Sequence, residues 1–159
     1  MELGEDMKIE IVEVKGKMDY SSILDLINAE WPKEFGEATD LEKIGEMENS
    51  SNELDINKFL LKDNKRIGWY RYSRWPREEI NHDFAHTFDI VVLPEYKGQG
   101  FGKLLMNDMI DDCREKGFKN LKSRTFMNNE DSIRLHQKCG FKEAFKVNDS
   151  IVWEINLNE

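Results

Sequence analysis

Cysteine is scarce in this chain: Cys113 and Cys139 are the only two among 159 residues. Two isolated thiols cannot build a disulfide framework or a cysteine-rich metal cluster. Both fall on predicted helices, so buried free thiols and no metal are expected. The three prolines, Pro32, Pro76 and Pro94, stand where periodic segments stop, as suits a residue without an N–H. No apolar run approaches the roughly 20 residues needed to span a bilayer. The opening Met1-Glu2-Leu3-Gly4-Glu5-Asp6 lacks the basic and apolar regions of a secretion signal. Cytoplasmic location is therefore expected, with residues 1–7 a flexible lead-in to a single domain covering 1–159. Positive charge is in deficit: 23 Lys and Arg stand against 32 Asp and Glu, a formal net charge of −9. That balance disfavours nucleic acid and anionic membranes as partners and favours approach of a small cationic molecule.

What is present centres on Asp89-Ile-Val-Val-Leu-Pro-Glu-Tyr-Lys-Gly-Gln-Gly-Phe-Gly-Lys103. Ile90 to Leu93 is a β-rich run stopped by Pro94, hence a strand end. After it, Phe101, Leu105, Met109 and Cys113 recur every fourth residue, with Leu104, Met106 and Ile110 widening the stripe, so a helix packs one face on a core. Gly98, Gly100 and Gly102 lie between. Glycines there let main-chain N–H groups converge on one point, and the helix macrodipole adds roughly half a positive charge. Lys97 and Lys103 add full charges, and together these make a phosphate cradle. The same glycines also suit an ordinary strand-to-helix turn.

Periodicity orders the rest of the chain. Lys8–Val14 reads as a strand, a helix capped by Asp19 runs to about Glu30, and Thr39-Asp-Leu-Glu42 opens a short second helix. Asp55–Lys62 and Ile67–Trp75 form a hairpin across Asp63–Arg66, and Phe84–Leu93 is the strand that feeds the glycines. The central helix spans about Gly100–Lys116, followed by a strand over Lys119–Phe126 and a helix over Asn129–Cys139. A last hairpin turns at Asn148-Asp149, with Ile151, Trp153, Ile155 and Leu157 pointing inward.

A P-loop requires Ser or Thr after Gly102-Lys103, where Leu104 stands, and a dinucleotide fingerprint requires G-x-G-x-x-G, which Gly98-x-Gly100-x-Gly102 is not. Lys97-Gly98-Gln99-Gly100-Phe101-Gly102 instead resembles the acetyl-CoA pyrophosphate loop of the GNAT N-acetyltransferase superfamily, with Lys97 where Arg or Gln is usual. Asn129-Glu-Asp-Ser132-Ile-Arg-Leu-His136-Gln-Lys-Cys-Gly140-Phe141 resembles that family's Asn-x-x-Ser-x-x-x-Tyr-x-x-x-Gly-Phe segment. The resemblance implies a mixed α/β (α+β) fold. Its mostly antiparallel sheet of six to seven strands is splayed in the middle, with about four helices. It further implies acetyl-CoA as co-substrate, held by main-chain groups of Val91, Val92 and Leu93, by Lys97 to Lys103, and by Asn129, Ser132 and His136. The reaction implied is direct acetyl transfer to a primary amine of a small molecule or protein.

Such a transfer needs a neutral amine, a polarised carbonyl and a protonated leaving thiolate. His136 stands where the family commonly has the Tyr that protonates the thiolate, so two readings are open there: an imidazolium acid, or a ring that has lost that role and only packs beside the cofactor. For the base, His86 is favoured, with Asp89, Asp83 and His82 competing. Strict alternation puts His86, Phe88, Ile90 and Val92 on one face of their strand and Thr87, Asp89 and Val91 on the other. The resemblance places the acceptor pocket among aromatics, of which Trp31, Phe35, Tyr72 and Trp75 are the candidates. Carboxylates beside aromatic faces suit a cationic amine. The alternative is a non-catalytic acyl-CoA-binding domain that kept the cradle and lost the acid. A homodimer is left open.

Overall fold

The computed structural model of the chain describes residues 8–13, 55–75 and 84–158; within them the side chains of residues 55, 73–75, 84, 88 and 89 are not described. Seven strands form one sheet: β1 (Ile9–Glu13), β2 (Asp55–Lys62), β3 (Lys65–Trp75), β4 (Phe84–Val92), β5 (Asn120–Phe126), β6 (Lys142–Val147) and β7 (Ser150–Asn156). Their order across it is β1-β2-β3-β4-β5-β7-β6. Every neighbouring pair is antiparallel except β4 and β5, which a helix joins in parallel. That helix is α1 (Phe101–Glu115), and a second, α2 (Glu130–Lys138), joins β5 to β6. The two helices expected in the N-terminal part, and the lead-in at residues 1–7, lie outside the described residues. Among those described, no helix is long and apolar enough to cross a membrane.

Local chemistry accounts for the turns. Asp63 and Asn64 both adopt positive φ (50° and 68°), a two-residue turn that matches the strand twist and starts β3 at Lys65, two residues earlier than expected. Asn148 takes φ 53° in the last hairpin.

One face of α1 meets the sheet through Phe101, Leu105, Met106, Met109, Ile110 and Cys113, while Leu104, expected on that stripe, is exposed. Leu105 sits so close to β3 that a methyl on Gly68 would come within 3.0 Å of its Cδ1 and 2.9 Å of the Val91 carbonyl. Toward the helix C-terminus the contact becomes polar. The Tyr70 hydroxyl donates to Asp108 Oδ2 at 2.7 Å, and the Tyr72 hydroxyl donates to Asp112. Lys58 Nζ lies 3.2 Å from Asp112 Oδ1 and 3.6 Å from Asp108 Oδ2. Burial alone would raise the Asp112 pKa. Hydrogen bonds from Lys116 and Tyr72 and the charge of Lys58 outweigh it and hold the carboxyl below its ordinary value. The Cys113 thiol is pushed up to about 12 by burial with Asp112 beside it, so it is an inert thiol; Cys139 is free and only half-buried. The opposite sheet face carries a smaller apolar cluster of Phe59, Trp69 and Val91.

Gly68 is thus the point at which β3 admits α1. Gly68→Ala is expected to destabilise the fold by about 1–3 kcal/mol, read from urea denaturation, because both close neighbours are packed and one is backbone.

Candidate functional site

The site begins where β4 and β5 part. They pair over three positions only, Phe84 with Asn120, Ala85 with Leu121 and His86 with Lys122. Beyond them β4 stays with β3, while β5 stays with β7 through Ser123–Trp153, Arg124–Val152, Thr125–Ile151 and Phe126–Ser150. The sheet therefore opens from Thr87 onward. The Leu93 N–H donates to the Ile67 carbonyl at 2.9 Å, so Leu93 faces β3. Main-chain groups alternate along a strand, which turns Val92 and Ile90 toward the open side. Of the three residues expected to line a pantetheine arm, Val92 offers its N–H to the slot; Val91 and Leu93 are committed to β3.

A bulge changes the strand's faces. Arg71 lies opposite Asp89, but the next residue, Tyr72, lies opposite Thr87, which leaves Phe88 supernumerary. The alternation read from the sequence fails at that residue. Ala85, Thr87 and Val92 point to the helix side with Ile90, and His86 shares the opposite face with Val91. His86 is half-buried beside Lys122, at the last pair before the opening. Burial lowers its pKa from 6.5, opposed by a backbone hydrogen bond at Thr87 and reinforced by Lys122 and Arg124. It is neutral at pH 7. Asp89 has its backbone in β4, but its side chain, like that of Trp75, lies outside what is described. Trp31, Phe35, His82 and Asp83 lie outside the described residues altogether.

At the C-terminal end of β4 a 3₁₀ turn, Pro94–Tyr96, leads into the glycines. Gly98 and Gly100 have φ of 76° and 87°, and a methyl on either would meet nothing within 4 Å. Their need for glycine is conformational, and the space above them is open. The first helical bond of α1 runs from Leu104 N–H to the Gly100 carbonyl. Among the described residues no backbone carbonyl takes up the N–H groups of residues 98–103, which is the arrangement an anion requires. Gly102 plays another part: a methyl there would touch Leu135 Cδ2 at 3.5 Å, ordinary contact, so this glycine lies under α2. Lys97 and Lys103 are exposed beside the turn, and Gln99 reaches back to the Glu95 carbonyl at 3.4 Å. Two lysines went unnoticed in the sequence. Lys62 and Lys65, at the ends of the β2–β3 hairpin, each place Nζ 5.4 Å from the centre of the Tyr96 ring, and Tyr96 packs edge-on to Phe101. Only the tertiary fold brings that hairpin to the glycines, although its lysines flanking a tight turn are plain in the chain.

Two expectations are corrected. Tyr72 is 1% exposed with its hydroxyl on Asp112, so it belongs to the core and cannot line an acceptor pocket. His136 is 2% exposed, stacked on Trp153 (5.6 Å, 24°) and edge-on to Phe141 (5.0 Å, 65°). Its Nδ1 lies 2.7 Å from the Ser132 carbonyl, which can only accept, so Nδ1 carries the hydrogen. Nε2 of the neutral ring therefore accepts from the Ser123 hydroxyl, 2.6 Å away. Burial lowers the His136 pKa from 6.5, with the Ser132 bond acting the other way. A neutral, enclosed ring with both nitrogens occupied cannot serve as an imidazolium acid. Asn129 and Ser132 form the start of α2, where Asn129 Oδ1 accepts from the Ser132 N–H at 3.2 Å.

Both histidines bind protons less readily folded than unfolded, so stability rises with pH up to about 6.5 and falls as acid is added below it. The melting temperature is expected to drop between pH 7 and 5, and less so in His136→Phe. In the glycine turn, Ala at 98 or 100 should cost about 1–2 kcal/mol, whereas Gly102→Ala should be tolerated, as denaturation curves will show.

The sequence pattern of the Acetyltransferase (GNAT) family matches residues 20–141. A curated relative, the [ribosomal protein bS18]-alanine N-acetyltransferase of Haemophilus influenzae, is 33% identical over 100 residues, covering 63% of this chain and 64% of that enzyme. The chain thus matches less than two thirds of that relative's length. The crystal structure of the Escherichia coli ribosomal-protein-S18-alanine N-acetyltransferase shares the fold with a TM-score of 0.75 at 19% identity, covering 94% of each chain. So does yncA of Salmonella typhimurium, solved with its cofactor acetyl-CoA, at a TM-score of 0.74 and 20% identity over 96% of this chain and 95% of that one. With the family pattern covering more than half of its residues, on a parted sheet that ends in a glycine turn, the chain belongs to the GNAT acetyltransferase family.

Proposed function

We propose that this chain is an acetyl-CoA-dependent N-acetyltransferase that moves an acetyl group directly to a primary amine. The observation that carries the reading is the opening between β4 and β5, edged by the Val92 N–H and ending at the N–H groups of residues 98–103, which have no backbone acceptor among the described residues. Those groups, with Lys97 and Lys103, would hold the diphosphate. Asn129 and Ser132, at the start of α2, are the further side chains proposed to contact the coenzyme. When bound, acetyl-CoA supplies an acetyl group already activated as a thioester. The Val92 N–H, fixed by β4, is aimed to polarise a carbonyl in the slot.

His86 is the group proposed to take the proton from the amine, directly or through one water, because it is neutral at pH 7 and stands where the strands separate. Asp89 is retained as its competitor. A base with a lowered pKa favours an acceptor that is easily deprotonated. Freeing a lysine-like amine at pH 7 costs about 4.6 kcal/mol, whereas an α-amine near pKa 7.7–8.0 costs roughly 1–1.4 kcal/mol. An α-amino group is therefore the proposed acceptor. The Haemophilus influenzae relative is named for an alanine, a residue whose one amine is the α-nitrogen. The one-domain organisation and a cytoplasmic setting belong to the same proposal and rest on composition and element order.

Thiol release from acetyl-CoA should be stimulated more by a peptide with a free α-amine than by an α-blocked lysine peptide. Binding of coenzyme A without release for any amine would favour the non-catalytic reading. His86→Gln is expected to lower kcat/KM by about 10²- to 10⁴-fold and to abolish an acidic limb lying below pH 6.5; an unaltered pH–rate profile would remove His86 from the mechanism.

A further inference from the structure

The two residues that the open half of β5 turns inward are both hydroxyls, Ser123 and Thr125, and aromatic side chains hold each of them. Ser123 donates to His136 Nε2, and Thr125 Oγ1 accepts from Trp153 Nε1 at 3.0 Å. Trp153 is the cross-strand partner of Ser123 and stacks on the His136 ring. Ser123 is the first residue of β5 beyond its last pair with β4. At this position β5 has lost one neighbouring strand, and among the described residues β7 and α2 hold it. A nine-residue helix has little stability of its own and takes its place from its contacts. Two adjacent residues of α2 make contacts that matter here: Leu135 lies over Gly102 in the first turn of α1, and His136 reaches Ser123 at the fork.

We propose that His136 is a positioning residue of the coenzyme site: by holding Ser123, while Leu135 rests on Gly102, it sets the separation between the glycine turn and the outer edge of the slot. The inference rests on the acetyl-CoA reading above. It assigns no proton transfer to His136, and the ring works as a neutral spacer that donates to a carbonyl at one end and accepts from a hydroxyl at the other. Phenylalanine would fill the same space between Phe141 and Trp153 without either bond. Ser123→Ala removes a single oxygen and is the milder test.

Calorimetric titration with coenzyme A decides it, using the full chain, Ser123→Ala, His136→Phe, the double variant and Ile110→Val as a core control away from the fork. Each single variant at the fork is expected to raise Kd about 10-fold. The double variant should raise it no further, since both substitutions break one tie. Ile110→Val should lower the melting temperature and leave Kd unchanged. KM for acetyl-CoA should follow Kd, with kcat altered less than about threefold and its pH profile unshifted. Unchanged Kd in Ser123→Ala, or rises that multiply in the double variant, would overturn the proposal. So would a fall in kcat of about 100-fold at constant Kd, the signature of a proton donor. If His136→Phe does not fold, the Kd of Ser123→Ala against that of the control is sufficient to decide. Should the unsubstituted chain fail to bind coenzyme A, the acetyl-CoA reading itself falls.

Discussion

A backbone hydrogen bond not made within the sheet is what the remainder of this molecule is arranged around. β4 and β5 run side by side for three residues and then separate, which leaves main-chain groups of Ile90 and Val92 facing a gap. Such groups are costly to bury unpaired, so a gap of this kind persists only if each side is held by something stronger than its attraction to the other. On one side, β3 secures β4 through the full ladder from Trp75–Phe84 to Gly68–Val92, and α1 clamps β3 through Leu105 at Gly68 and two tyrosine hydroxyls on Asp108 and Asp112. On the other, β7 and α2 hold β5.

The electrostatics follow the same division of labour. Around α1 the charges are paired: Lys58 and Lys116 meet Asp112, and their work is to orient a helix. At the glycine turn the positive charges of Lys97 and Lys103 stand exposed beside N–H groups with no backbone acceptor among the described residues. In a chain of net charge −9 these two lysines are a local concentration of positive charge, with Glu95 of the preceding turn paired to Lys65. The two histidines divide similarly. His86 sits at the edge of the opening with cations beside it, whereas His136 is sealed behind the strand among aromatics. Burial lowers the pKa of both, yet only His86 stands at the edge of the opening.

Local chemistry was readable from the residues themselves. The 3.6-residue stripe of α1, the helix that begins near Asn129, the hairpin connection within Asp63–Arg66 and the strand stopped at Pro94 each depend on neighbours within a few positions, so their pattern survives in one dimension. Strand alternation was legible as far as Phe88 and misleading beyond it, because a bulge is defined by the partner strand and leaves no mark in the strand that carries it. Lys62 and Lys65 were missed for the same reason: nothing within their hairpin says that the turn ends beside Tyr96.

By itself the sequence determined the order of the described elements and the glycine turn between β4 and α1, since these follow from short-range pattern and the steric freedom of single residues. It also placed a histidine in the last turn of a short helix, without deciding which way the ring is used. Tertiary structure decided that, together with the core position of Tyr72 and the direction in which each main-chain group of β4 points. Those properties depend on which strand lies alongside and which helix lies above, and partners so distant in the chain cannot be read from local pattern.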